Sequence, residues 1–250
     1  MRHDQRLSSH ESQDKFVLKQ EVKDKFFVND ILSGDAAERR FHAGTGDYRF
    51  KNLLGKTDWN RLPPAIRKRF GKRFGAGEST VYQGVVKTMK LNAVGWFLAQ
   101  TARLVGAPLP FDVNSVGQPA VVCVTEDIET QGQFWIRQYG RKDGFPQVVH
   151  SSKRFAGPTG LEEYIGYGIG IALRMSVSPD TLYFVSDHYF LHLFGRRIRL
   201  PKFFEPGVLE IGHRELGKGF FAFTLDLRHR LFGKLVDQEA VFTDPVAQDY

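Results

Sequence analysis

The clearest pattern in the chain is the alternation of apolar and polar positions in its last quarter. Over residues 219–229, Phe221, Phe223, Leu225 and Leu227 fall on one face, and Phe220, Ala222, Thr224, Asp226 and Arg228 on the other. A period of two predicts a half-buried antiparallel strand. With 180–193, 208–216 and 233–244 this segment makes a run of four predicted strands. Further strands are expected at about 79–89, 116–125, 131–139, 145–151 and 162–177. From 116 onward no connection is long enough for a crossover helix, so neighbours should pair antiparallel.

Helical spacing is confined to the segment before these strands. Leu62, Ile66, Phe70 and Phe74 recur every fourth residue, which predicts a helix over 61–74 with Pro63 and Pro64 in its first turn. A second, apolar helix fits Ala93–Leu104 and ends at the Gly106–Pro110 turn. A short helical turn at Leu200–Phe204 should close one end of the sheet. The pattern therefore predicts an α+β fold: a curled, barrel-like, mainly antiparallel sheet of eight or nine strands, with two helices in the N-terminal part of the domain. Residues 1–50 read as a polar, partly disordered extension, with a linker at His42–Asp47; 51–250 read as one domain.

Composition narrows this picture. A chain of 250 residues with 42% hydrophobic content and 22 phenylalanines should build an aromatic-rich core. The single cysteine, Cys123, excludes an intrachain disulfide; its setting in Ala120–Val124 predicts a buried, inert thiol and suits a reducing compartment. No apolar run approaches the ~20 residues of a membrane helix. The N-terminus lacks the apolar core of a secretory signal. The expectation is a cytoplasmic protein.

The net charge of +7 is local in origin. Residues 46–75 carry nine basic and two acidic groups, and 196–234 carry nine and four. On the 61–74 helix, Arg67, Lys68, Arg69, Lys72 and Arg73 oppose the apolar stripe. A solvated face, an anionic membrane surface and a nucleic-acid backbone all fit such a patch. Nucleic acid is disfavoured, because the aromatics occupy core positions instead of interleaving with the charges. A second basic patch comprises Arg196, Arg197, Arg199 and Lys202.

Candidate chemistry is sparse. In the 162–177 segment one face carries Glu163, Ile165, Ile169 and Ile171, and the other carries Gly166, Gly168 and Gly170. Glycine at every second position allows sharp curvature or close approach of a ligand. A carboxylate at the start of an apolar face needs a partner, and Arg137 is the candidate. Trp135, Arg137 and Tyr139 share a face, as a cation–π ladder would require. His188 and His192 lie ~13 Å apart along a strand, too far to share a metal. Ser186, Asp187 and His188 are consecutive, so their side chains alternate and cannot form a relay. Gly166–Gly170 and Gly75–Gly77 lack dinucleotide-loop spacing, and no cofactor is expected.

Several short signals, taken in order, resemble a known family. They are Leu62-Pro63 opening a helix, Tyr82-Gln83-Gly84, Pro108–Pro110, Trp135-x-Arg137, Ser151 and Glu163-x-x-Gly166. Gly195 to Leu200-Pro201, Pro206, Gly219-x-Phe221 and Phe232-Gly233-x-Leu235-Val236 complete the series. Over roughly 59–244 the chain resembles a bacterial domain of unknown function, number forty-one sixty-six. It departs from that pattern at Asp237–Val241, where a Tyr-x-Gly is expected. The resemblance implies little chemistry. Similar domains occur fused behind reductase-like dinucleotide-binding domains, which implies a reductase-like partner.

The leading functional expectation is a non-catalytic binding module enclosing an apolar or amphipathic small molecule, a lipid among them. Its pocket candidates are Trp135, Arg137, Tyr139, Ser151, Glu163, Gly166, Gly168 and Gly170. The alternatives are an enzyme using Glu163 as acid or base beside Arg137, and a peripheral module that docks through the basic helix.

Overall fold

Alternation carried through nearly every strand gives a sheet with one mainly apolar face, and ten strands of it curl until the first meets the last. The structure is a computed structural model that describes residues 46–75, 78–106 and 108–245. Before the sheet come helices α1 (Arg49–Arg61) and α2 (Pro64–Phe70). The barrel strands are β1 (Ser79–Leu91), β2 (Pro119–Asp127), β3 (Gly132–Tyr139), β4 (Gln147–Arg154), β5 (Glu162–Gly166), β6 (Ile169–Val177), β7 (Thr181–Leu193), β9 (Val208–Gly217), β10 (Phe220–His229) and β11 (Gly233–Thr243). Helix α3 (Ala93–Ala102) lies between β1 and β2, and the short β8 (Arg196–Arg199) follows β7. Each barrel strand pairs antiparallel with its neighbours in sequence, and β1 pairs with β11 to close the ring. No helix among the described residues is long and apolar enough to cross a membrane.

The sequence expectation of an α+β, mainly antiparallel barrel holds, with more strands than foreseen. The segment 162–177 is a hairpin, β5–β6, and not one strand. Gly166, Tyr167 and Gly168 all have positive φ (108°, 51° and 76°), which reverses the chain. Pairing resumes with Glu163 opposite Ile171, so the odd-numbered residues still share the inner face. The other extra strand, β8, lies outside the ring. The first half of β7 pairs with β9, while its second half, Phe190–Leu193, pairs with β8. Leu200–Phe204 is a turn closed by Phe204 N–H to Pro201 O (2.9 Å), not a helix.

The predicted 61–74 helix is divided. Pro63 and Pro64 end α1 and start α2 instead of sitting inside one helix, and α2 stops at Gly71. The stripe itself is correct: Leu62, Ile66, Phe70 and Phe74 are all buried. Helix α1 was not evident in the sequence, since it buries only Phe50 and Trp59 and is interrupted at Gly55 (φ 77°). The domain start expected at residue 51 falls within it. Of the expected N-terminal extension and linker, residues 1–45 lie outside the described residues; Asp47 is buried and accepts hydrogen bonds from Arg49. Cys123 is half-buried on β2, between the inward-facing Val122 and Val124, and not fully buried as expected.

The up-and-down order alternates the connections between the two ends of the barrel. At the end that α1 and α2 cover, the interior is filled with rings. Phe50 packs edge-on against Phe70 (5.2 Å) and Phe184 (6.2 Å); Phe70 stacks on Trp135 (6.1 Å). Phe221 stacks on Phe242 (5.7 Å), and His213 lies against Phe70, Phe221 and Phe223. At the other end α3 lies across β11. A Cβ on Gly95 would come within 1.9 Å of the Leu235 carbonyl oxygen, so only glycine lets the helix sit that close.

Candidate functional site

Beneath α3 the barrel is hollow. A cavity of about 340 Å³ is walled by Ile165, Ile169, Ile171, Ile211, Leu225 and Leu227. Leu98, Thr101 and Ala102 of α3, with Leu200, Phe204 and Pro206 of the β8–β9 connection, form its outer end. Phe204 lines the cavity and is also exposed, so it stands at the mouth. The two ionic side chains in this lining are Arg137 and Glu163.

The alternation of three adjacent strands brings a polar cluster to the inner end of the cavity. Arg137 comes from β3, Ser151 and Lys153 from β4, and Glu163 from β5; Trp135 is opposite Ser151, and Lys153 is opposite Glu163. Arg137 Nη2 donates to Ser151 Oγ (2.8 Å) and lies 3.3 Å from Glu163 Oε1. Ser151 donates to the same Oε1 (2.6 Å), and Lys153 Nζ donates to Oε2 (2.7 Å). Glu163 is 2% exposed, and both of its oxygens are engaged. Burial alone would raise its pKa. The charges of Lys153 and Arg137, with the hydrogen bonds from Lys153 and Ser151, override that and hold the carboxyl at about 2. Burial pushes the Lys153 ammonium below its usual range, against the pull of Glu163.

The cluster contains two cations and one carboxylate. No second acid pairs with Arg137 or Lys153 among the described residues. Arg137 Nε is buried without a hydrogen-bond partner among them. Arginine stays charged at any ordinary pH. The apolar cavity therefore ends on a fixed positive group with donor capacity to spare.

The sequence candidates separate accordingly. Arg137 and Glu163 line the cavity, and Ser151 bridges them. Trp135 and Tyr139, with Arg137, border a second cavity of about 30 Å³ deeper in the barrel. They form no ladder with Arg137: the cation over Trp135 is Lys153 (5.0 Å), which also faces Phe184 (5.3 Å). The three glycines do not line the cavity. Gly166 and Gly168 shape the β5–β6 turn, and a Cβ on Gly170 would strike the Phe190 ring (2.2 Å). Their role is curvature and packing. Lys153 was missed because its strand was expected to stop at Ser151; two more residues of period two, Val149–Ser151–Lys153, would have put it on the inner face.

The expected basic surface of the 61–74 helix is only partly a surface. Arg69 is almost wholly buried, paired with Glu215 (2.6 Å) and Asp244 (2.7 Å), and lies over the Phe221 ring. Arg73 is tied to Glu126 (3.6 Å) and Gln131. Arg67 is half-buried, which leaves Lys68 and Lys72 facing outward. On β7, His188 Nδ1 pairs with Asp187 (2.7 Å), and His192 lies edge-on to Tyr164 (6.2 Å).

No curated protein and no solved structure matches the chain. One family model does match, over residues 62–242, which is more than two-thirds of the sequence and contains the barrel and its polar cluster. The chain belongs to the family described as Domain of unknown function (DUF4166).

Proposed function

We propose that this domain is a binding module that takes an apolar or amphipathic small molecule into the hollow end of its barrel. The observation that carries the reading is the cavity of about 340 Å³, apolar along its walls and ending on Arg137. A volume above ~300 Å³ lies in the range of small-molecule sites. An apolar void of that size left unfilled would forfeit at most about 8 kcal/mol of packing, which is comparable to the whole stability of an ordinary domain. The chemistry best matched to Arg137 is a single acidic group on an otherwise apolar body. The excess positive charge offsets the cost of desolvating an anion, and the planar guanidinium suits a carboxylate or sulfonate.

The same geometry does not favour Glu163 as a catalytic acid or base. A carboxyl held ionised at about 2, with both oxygens bonded, has no proton to give near neutral pH and little tendency to accept one.

Titration with dansyl-undecanoic acid and with its methyl ester tests the proposal. The wild-type protein should enhance the emission of both and prefer the acid by about tenfold, roughly the worth of one charge-assisted hydrogen bond. Arg137→Gln should abolish the preference, and Leu225→Trp, which narrows the cavity, should weaken binding of both probes. If folded wild-type protein binds neither probe, or Leu225→Trp binds as well as wild type, the reading is wrong.

A further inference from the structure

The five connections at the hollow end of the barrel are residues 92–118, 140–146, 167–168, 194–207 and 230–232. Fourteen large apolar side chains in them are exposed to solvent. The four interstrand connections at the opposite end (128–131, 155–161, 178–180 and 218–219) have one, Ile128, and the helical segment at that end adds Tyr48, just before α1, and Leu53 within it. The exposure is extreme at the tips: Phe194 is 101% exposed, Phe145 90%, Leu104 82%, and Phe203 and Leu231 77% each. Soluble surfaces carry isolated apolar residues, but a set concentrated at one end marks an interaction face.

The charge of the same five connections is one-sided. They hold eight Lys or Arg (Arg103, Arg141, Lys142, Arg196, Arg197, Arg199, Lys202, Arg230) against three acids, Asp112, Asp143 and Glu205. Arg197 is committed to Glu162 (2.9 Å) and Arg141 to Asp112 (2.9 Å). Arg196, Arg199, Lys202 and Arg230 are in no ion pair among the described residues, and each lies within two residues in sequence of an exposed apolar side chain: Phe194, Ile198, Phe203 and Leu231. Aromatic tips interleaved with cations match a surface with an anionic layer over an apolar interior. The α1–α2 end is basic too, but its exposed aromatics are fewer and less exposed, with Tyr48 at 58% and Phe220 at 46%.

We propose that the hollow end of the barrel docks on a membrane surface containing anionic lipid. Phe145, Phe194, Phe203 and Leu231 enter the region between headgroups and chains, and Arg196, Lys202 and Arg230 meet the lipid phosphates. Docked in this way, the cavity mouth at Phe204 faces the bilayer. The proposal stands on the exposed rim and not on what the cavity holds, so vesicle binding and probe binding can succeed or fail separately.

The full chain is floated with vesicles of phosphatidylcholine alone and of phosphatidylcholine with one-third phosphatidylglycerol. Binding should be at least tenfold stronger to the anionic vesicles and should weaken as salt is raised. Trp59 and Trp135 are buried and Trp96 is half-exposed on α3, so tryptophan emission should shift to the blue on binding. Phe194→Ser, Phe203→Ser and Leu231→Ser combined should weaken binding at least tenfold to either vesicle, and Arg196→Glu, Lys202→Glu and Arg230→Glu combined by on the order of a hundredfold to the anionic one. Lys68→Glu with Lys72→Glu, at the other end, should change it less than threefold. The proposal is overturned if the wild-type chain does not float with anionic vesicles, or if either rim variant floats as well as wild type. It is also overturned if the apolar substitutions only convert a self-associated form to monomer.

Discussion

The two ends of this barrel are built from the same alternating strands, yet one is solid and the other hollow. At the α1–α2 end the inward positions are Phe184, Phe221, Phe223, Phe242 and Trp135, and the rings interlock edge to face. At the α3 end the inward positions are mainly Ile and Leu, which are shorter and do not meet across the barrel. Lining length thus decides whether a ten-stranded barrel fills itself. The boundary between the two regimes is ionic: Lys153 touches the rings on one side, and Arg137 faces the cavity on the other.

That contrast can be broken most severely from the packed side. Phe184→Ala should cost about 3–5 kcal/mol in urea denaturation, since the ring is buried among other rings, whereas Leu225→Ala on the cavity wall should lie near the lower end of its class, about 2 kcal/mol. Equal losses would show that the cavity wall is packed as tightly as the plug. At the boundary, Glu163→Gln should cost about 3–5 kcal/mol by leaving Lys153 and Arg137 without their counter-charge. Adding Lys153→Met should restore part of it, and more than adding Arg137→Met does, because Lys153 is closer (2.7 Å against 3.3 Å) and more buried. Additivity in both cycles would mean that the cluster does not act as a unit.

The pH dependence follows from the same carboxylate. Its pKa is about 2 when folded and near 4.5 otherwise, so its contribution is complete above pH 4.5 and is lost as pH falls toward 2. The loss should amount to roughly 3 kcal/mol, and Glu163→Gln should be flat over that window relative to wild type. A parallel slope in the variant would assign the acid sensitivity elsewhere. The smallest effect sharpens the comparison directly. Leu225→Phe adds volume to the hollow end and should shift stability by less than about 1 kcal/mol, while Ala240→Leu in the packed end should cost about 1–3 kcal/mol.

Much of this architecture was legible from period alone. Alternation gave the antiparallel ladder and placed Arg137 and Glu163 on inner faces, Ser151 was singled out only by the family resemblance, and four-residue spacing gave the stripe from Leu62 to Phe74. Turn chemistry was less legible. Gly166 and Gly168 alternate in phase with a strand, so a reversal through Tyr167 was hidden inside an unbroken period of two. Strand ends were also obscure: β4 continues into Ser152-Lys153-Arg154, a polar run that reads as a loop until its partner strand is known. The difference between a filled and a hollow interior depends on whether side chains meet across the barrel. That is a property of closure, which local pattern does not encode.

Closure also orders the birth of the molecule. β1 joins β11 with Gln83 opposite Thr243, so the ring cannot shut until almost the whole domain has been synthesised. Until then the growing sheet has two open edges, one at β1 and one at the newest strand, and each can pair with another chain. Long-range pairings of this kind fold slowly. On a ribosome, the interval between the emergence of β1 and of β11 is when these edges stand unpaired.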